Sequence, residues 1–165
     1  MKKMLLVLAI SILGMSCENT SSQKQTMIDT YKIMNDIHLE AMEPYALLGN
    51  LEEIMDDLIF RAKSDSTVLK GHNLDEVRAI LDQVEKSKQG MDKWMTKHIH
   101  YTQFPTEWSH KEQMSYIEIE RQAITKVNDE TKQSISVAKE LLSELDMPIE
   151  EEANHDHGHN HSHPH

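Results

Sequence analysis

The residues with the most distinctive chemistry in this 165-residue chain are eleven histidines, eleven methionines and one cysteine. Six of the histidines, His155, His157, His159, His161, His163 and His165, alternate over the last eleven positions. Neutral imidazole is a good donor to Zn, Cu, Ni and Fe ions. Its ordinary pKa of about 6.5 leaves most such rings unprotonated at neutral pH. Two to four of them on a flexible segment can close around one cation, and acid should release it. The alternation differs from the unbroken histidine run of a purification tag. Histidine tracts also bind metals without having been selected for it, so affinity alone does not define a purpose.

A second set of donors lies upstream. His38 and Met42 stand four residues apart, as do His110 and Met114, and this spacing places both members of each pair on one helix face. Met91, Met95 and His98 fall between them in the chain, with Trp94 alongside. Thioether and imidazole together suit soft Cu(I) and avoid the thiolate that an oxidising compartment would consume. Core packing is the competing reading, because methionine is a common filler that makes favourable contacts with aromatic rings. The carboxylates Glu52, Glu53, Asp56 and Asp57 read as a solvated helix face, since a di-metal carboxylate site would need Glu-x-x-His motifs and none occurs. No nucleophile elbow, phosphate loop or zincin motif is present, so the chain is expected not to be an enzyme and to require no cofactor.

Helices must position these groups. Five glycines, four prolines and 5% aromatics, with abundant Met, Leu, Ile, Glu and Lys, favour helix over sheet. The first helix is predicted over about 27–63, opened by Thr26 and Asp29, with the stripe Tyr31, Met34, His38, Met42, Tyr45, Leu48, Met55, Leu58 and Ala62. Pro44 removes one backbone hydrogen bond, which predicts a kink near Glu40 to Pro44. Asn73 and Glu76 match a helix start, and the second helix follows over about 74–100 with the stripe Leu74, Val77, Leu81, Val84, Lys88, Met91, Met95 and His98. Phe104-Pro105 breaks the pattern. Ser109 and Glu112 form a capping box for a third helix over about 110–145, whose stripe is His110, Met114, Ile117, Arg121, Ile124, Asn128, Thr131, Ile135, Ala138, Leu142 and Leu145.

Three long amphipathic helices joined by loops of about ten residues predict an all-α, up-down-up antiparallel three-helix bundle over residues 26–146. The acidic and His-rich segment 147–165 offers almost nothing to pack and is expected to be disordered without a ligand. Folding such a bundle on paper sets Met42 opposite Met95, His38 opposite Ile99 beside His98, Met95 beside Met114, and His98 beside His110. The seven donors His38, Met42, Met91, Met95, His98, His110 and Met114 then gather at one bundle end as a candidate second metal site.

The N-terminus supplies the address. Lys2 and Lys3, an apolar run from Met4 to Leu13, and the small-residue stretch Gly14-Met15-Ser16 read as a secretory signal over 1–16. The run is shorter than the ~20 residues a spanning helix needs. Cys17, the sole cysteine, follows directly, in the pattern of a lipobox whose thiol is diacylated. Two acyl chains give stable anchoring. Residues 17–25 then read as the lipidated cysteine and a polar tether. Removing the signal leaves 15 basic residues against 28 acidic, a net charge of −13. That sign disfavours nucleic acid as a partner and repels anionic headgroups, so attachment would rest on the acyl chains, with cations as the natural small partners.

Three blocks carry a family resemblance: His38-Leu39-Glu40-Ala41-Met42-Glu43-Pro44, Met91-Asp92-Lys93-Trp94-Met95 and His110-Lys111-Glu112-Gln113-Met114-Ser115-Tyr116. Over roughly residues 30 to 145 the chain resembles small helical lipoproteins of Bacteroidota that carry the label "viral A-type inclusion protein". The resemblance implies a helical fold and an outer-membrane or periplasmic location, and no activity. The single Glu18 after the cysteine is a weaker acidic signal than that group's surface-export run, which implies retention facing the periplasm. Together these readings point to a lipid-anchored periplasmic protein that buffers or hands on copper or zinc. The alternative is a structural or adaptor lipoprotein whose His-rich tail is incidental.

Overall fold

The computed structural model describes the backbone of residues 15–149 and the side chains of residues 20–149. The signal sequence up to residue 14, the side chain of Cys17 and the histidines from His155 to His165 lie outside the described residues. Within them the chain is an all-α three-helix bundle. Its helices are α1, Met15–Ala62, α2, Leu74–Lys97, and α3, His110–Glu144, with short 3-10 turns at Ser66–Leu69 and Tyr101–Gln103. No described helix is long and apolar enough to cross a membrane.

Local chemistry explains where each helix begins and ends. α1 starts at Met15 rather than near residue 27. Thr26, expected to open it, lies inside it and donates its hydroxyl to the Ser22 carbonyl at 3.0 Å, while Gln25 reaches Asp29 at 2.8 Å. Residues 20–26 are exposed on every side, so they carry no apolar periodicity to betray a helix. Pro44 lies within α1, and the helix continues on both sides of it. Asn73 caps α2 by accepting the Asp75 N–H at 2.9 Å. α2 stops at Lys97, short of the expected residue 100, and the Ile99 N–H is taken instead by the Tyr116 hydroxyl at 2.7 Å. The expected capping box opens α3: Ser109 N–H donates to the Glu112 carboxylate at 2.7 Å, and the Glu112 N–H donates to the Ser109 hydroxyl at 3.3 Å.

The chain divides into two compact units, to each of which all three helices contribute. In the second, Glu43–Gln89 with the residues from Glu130 onward, a core forms around Leu48, Leu51, Met55, Leu58, Val77, Val84, Ala138 and Leu142. The stripe read from α2 rotates slightly here. Ser87, not Lys88, is buried, bonded to the Ser134 hydroxyl at 2.7 Å, while Lys88 swings out to pair with Glu52. The acidic run of α1 is a solvated face as expected: Glu53, Asp56 and Asp57 are exposed, and Asp57 holds Arg61 at 2.9 Å.

α3 closes with Asp146 in the left-handed region at φ 56°, the Met147 N–H returning to the Leu142 carbonyl at 2.9 Å and the Asp146 N–H to that of Ser143 at 3.1 Å. This Schellman turn folds Met147 and Ile149 back against the core, so the folded body runs past residue 146, where the tail was expected to begin. Lys70, also left-handed at φ 49°, pairs with Asp146, and the His72 ring sits 3.4 Å from Glu76 and 3.2 Å from Glu144. These contacts fasten the α1–α2 connection to the end of α3.

Candidate functional site

In the first unit, residues up to Met42 with Gly90–Asp129, the side chains of Met34, Ala41, Met91, Ile117 and Ile124 are fully buried. The same unit holds a cluster of rings. Trp94 and His98 are four residues apart on α2 and therefore share a face; the two rings stack with centroids 4.6 Å apart and planes 15° from parallel. The His38 ring, from α1, tilts against the same indole with centroids 4.9 Å apart. Tyr31, two turns before His38 on α1, brings its hydroxyl to 2.7 Å from His98 Nε2. Tyr101, from the 3-10 turn, packs edge-on against Tyr31 at 5.0 Å, as does His100 at 5.1 Å. Glu120, one turn beyond buried Ile117 on α3, places a carboxylate oxygen 4.0 Å from His98 Nδ1.

Burial sets the electrostatics. Desolvation lowers the pKa of His38, and lowers that of His98 with further help from the neighbouring His38 and His100 rings, so both imidazoles are neutral at neutral pH. Desolvation raises the Glu120 pKa, an effect partly offset by the Trp94 indole. The Tyr31 hydroxyl is pushed up by burial and by the nearby Tyr116 and Tyr101, and so stays a phenol. Three ring nitrogens of the cluster, His38 Nε2, Trp94 Nε1 and His98 Nδ1, are buried without a hydrogen-bond partner.

Set against the sequence reading, the structure brings together part of the expected cluster. His38 and His98 do meet around Trp94, and Met91 is fully buried. Their partners differ from those expected. His38 lies on Trp94 rather than opposite Ile99, and His98 faces Glu120, not His110. Along α3, His110 precedes Glu120 by ten residues, about 15 Å of helix, and Met114 by six, about 9 Å. Met42, Met95, His110 and Met114 are half-exposed. Among the described residues no group of three or more His, Cys, Asp or Glu side chains is placed to hold a metal ion. The two central imidazoles are instead engaged by an indole face and a phenol.

Sequence reasoning missed Tyr31 as a partner of His98 and missed Glu120 altogether. The available signal was the position of Glu120 three residues after Ile117 on the apolar stripe, where an inward carboxylate is unusual. The chain matches no family model, no curated protein and no solved structure.

Proposed function

We propose that the protein is a lipid-anchored component of the bacterial cell envelope, held by acyl chains on Cys17 in the outer membrane and facing the periplasm, that captures copper or zinc through its C-terminal histidines. The observation that carries this reading is the alternation of six imidazole donors from His155 to His165. The bundle acts as scaffold, and its acidic surface attracts cations toward the chain. Three of the five described imidazoles have polar partners: His98 Nε2 meets Tyr31, His72 lies between Glu76 and Glu144, and His100 meets Thr102. That arrangement supports assigning metal capture to the tail rather than to the bundle.

Titration calorimetry on the intact mature chain tests the reading. Micromolar uptake of Cu(I), Cu(II) or Zn(II) that is lost on deletion of 153–165 is the expected result. No uptake by the intact chain refutes it. A second reading, an adaptor lipoprotein, is favoured by the exposure of Ile33, Leu39, Phe60 and Ile119, which are 57–70% exposed on a helical body. Absence of metal uptake together with co-purification of a defined envelope protein would select it.

A further inference from the structure

Within the second unit, the end of α1, the α1–α2 connection and the turn that closes α3 line an open cleft of about 340 Å³. That volume is at the lower end of small-molecule sites. Leu58, Val68, Leu145, Met147 and Pro148 give it apolar walls, and Arg61, Lys70 and Asp146 add charge. Arg61, in the last turn of α1, holds Asp57 with its Nε at 2.9 Å. Its Nη2 is directed at the Met147 thioether sulfur, 3.7 Å away, which is a weak acceptor for a guanidinium with five N–H donors. Donor capacity thus stands beside an apolar wall.

Lys70 and Asp146, which pair across the cleft, are among the described residues the two non-glycine residues with left-handed backbone, at φ 49° and 56°. Aspartate tolerates that conformation, whereas a lysine there is uncommon, and glycine or asparagine is the usual choice where a helix ends this way. Backbone strain of this kind collects at ligand sites. The lining sets two cations against one carboxylate, in a chain whose net charge is −11. A metal ion is unsuited, because that carboxylate is already paired with Lys70 and a second cation adjoins it. A neutral apolar ligand would strip water from the guanidinium without replacing the hydrogen bonds. The geometry points to a binding site for a small apolar carboxylate, whose oxygens accept from the Arg61 Nη groups while its hydrocarbon body lies against Leu58, Leu145 and Met147. Lys70 supplies the second positive charge. The site is separate from the histidine tail and does not depend on metal capture.

Hexanoate is the probe, added to the intact mature chain while backbone amide NMR signals are followed. Signals of residues 67–70 and 145–147 should shift saturably. Hexanol lacks the charge and acetate the apolar body, so each should bind about tenfold more weakly, the effect of one charge-assisted hydrogen bond or of a few buried methylenes. Arg61→Gln should weaken hexanoate about tenfold and leave hexanol unchanged, a split that a merely structural role would not produce. Absence of saturable shifts at these residues, equal affinities for hexanoate and hexanol, or unaltered hexanoate binding by Arg61→Gln each overturn the inference. The comparison among the probes uses the unaltered chain, so it decides the matter even where the variant does not fold.

Discussion

At the scale of single residues, the buried imidazoles make the protein acid-sensitive in a definite direction. His38 and His98 have folded pKa values below the unfolded value of about 6.5. The unfolded chain therefore binds more protons than the folded one as pH drops below that point. Stability is fully present above pH ~6.5 and is lost as pH falls from there toward the depressed folded values. Glu120, with a raised pKa, contributes in the opposite sense, since its protonation relieves a buried charge. The urea midpoint should thus fall between pH 7 and pH 5, and His38→Gln should flatten that slope. A midpoint that rises over this interval would contradict the burial of the two rings. Met55, fully buried in the second unit, gives a residue-scale benchmark: Met55→Ala should cost about 2–5 kcal/mol in the same assay.

At the scale of elements, the start of α3 and the end of α2 offer separate tests. Ser109→Ala removes the side-chain half of the capping box and should cost about 1 kcal/mol, with faster amide exchange confined to the first turn of α3. Tyr116→Phe should lower the exchange protection of the Ile99 amide, whose acceptor is the lost hydroxyl. The contrast between these two ends shows what the sequence makes legible. The Ser109–Glu112 box and the Asn73 cap lie within three residues of the backbone groups they satisfy, so local pattern reveals them. The stop of α2 depends on a hydroxyl seventeen residues away, and no local pattern records it. Stripe residues with short apolar side chains fall where expected. Lys88 and Met95 do not, because Ser87 can approach Ser134 closely and Trp94 fills the space around His38. The candidate site failed in the same way. Its residue types were visible, but its partners depend on helix register, and the compact turn at Tyr101–Gln103 changes which part of α3 meets His98.

At the scale of the whole molecule, both tryptophans lie in the first unit, so fluorescence reports that unit while far-UV circular dichroism reports all three helices. Acidification should therefore move the fluorescence transition at least as far as the dichroism transition. Deleting 153–165 should leave both transitions in place while abolishing metal uptake, since no residue of the described core belongs to that segment. A large loss of stability on deletion would instead make the tail part of the fold.

The N-terminal stretch of α1 has a mechanical consequence. Residues 20–26 are helical and exposed, and a polar helix that buries so little of its surface sits close to its own melting point. Seven residues span about 10 Å when coiled and about 24 Å when drawn out. The stretch is thus an extensible spring, able to more than double in length under a light pull without disturbing a single packed side chain below it.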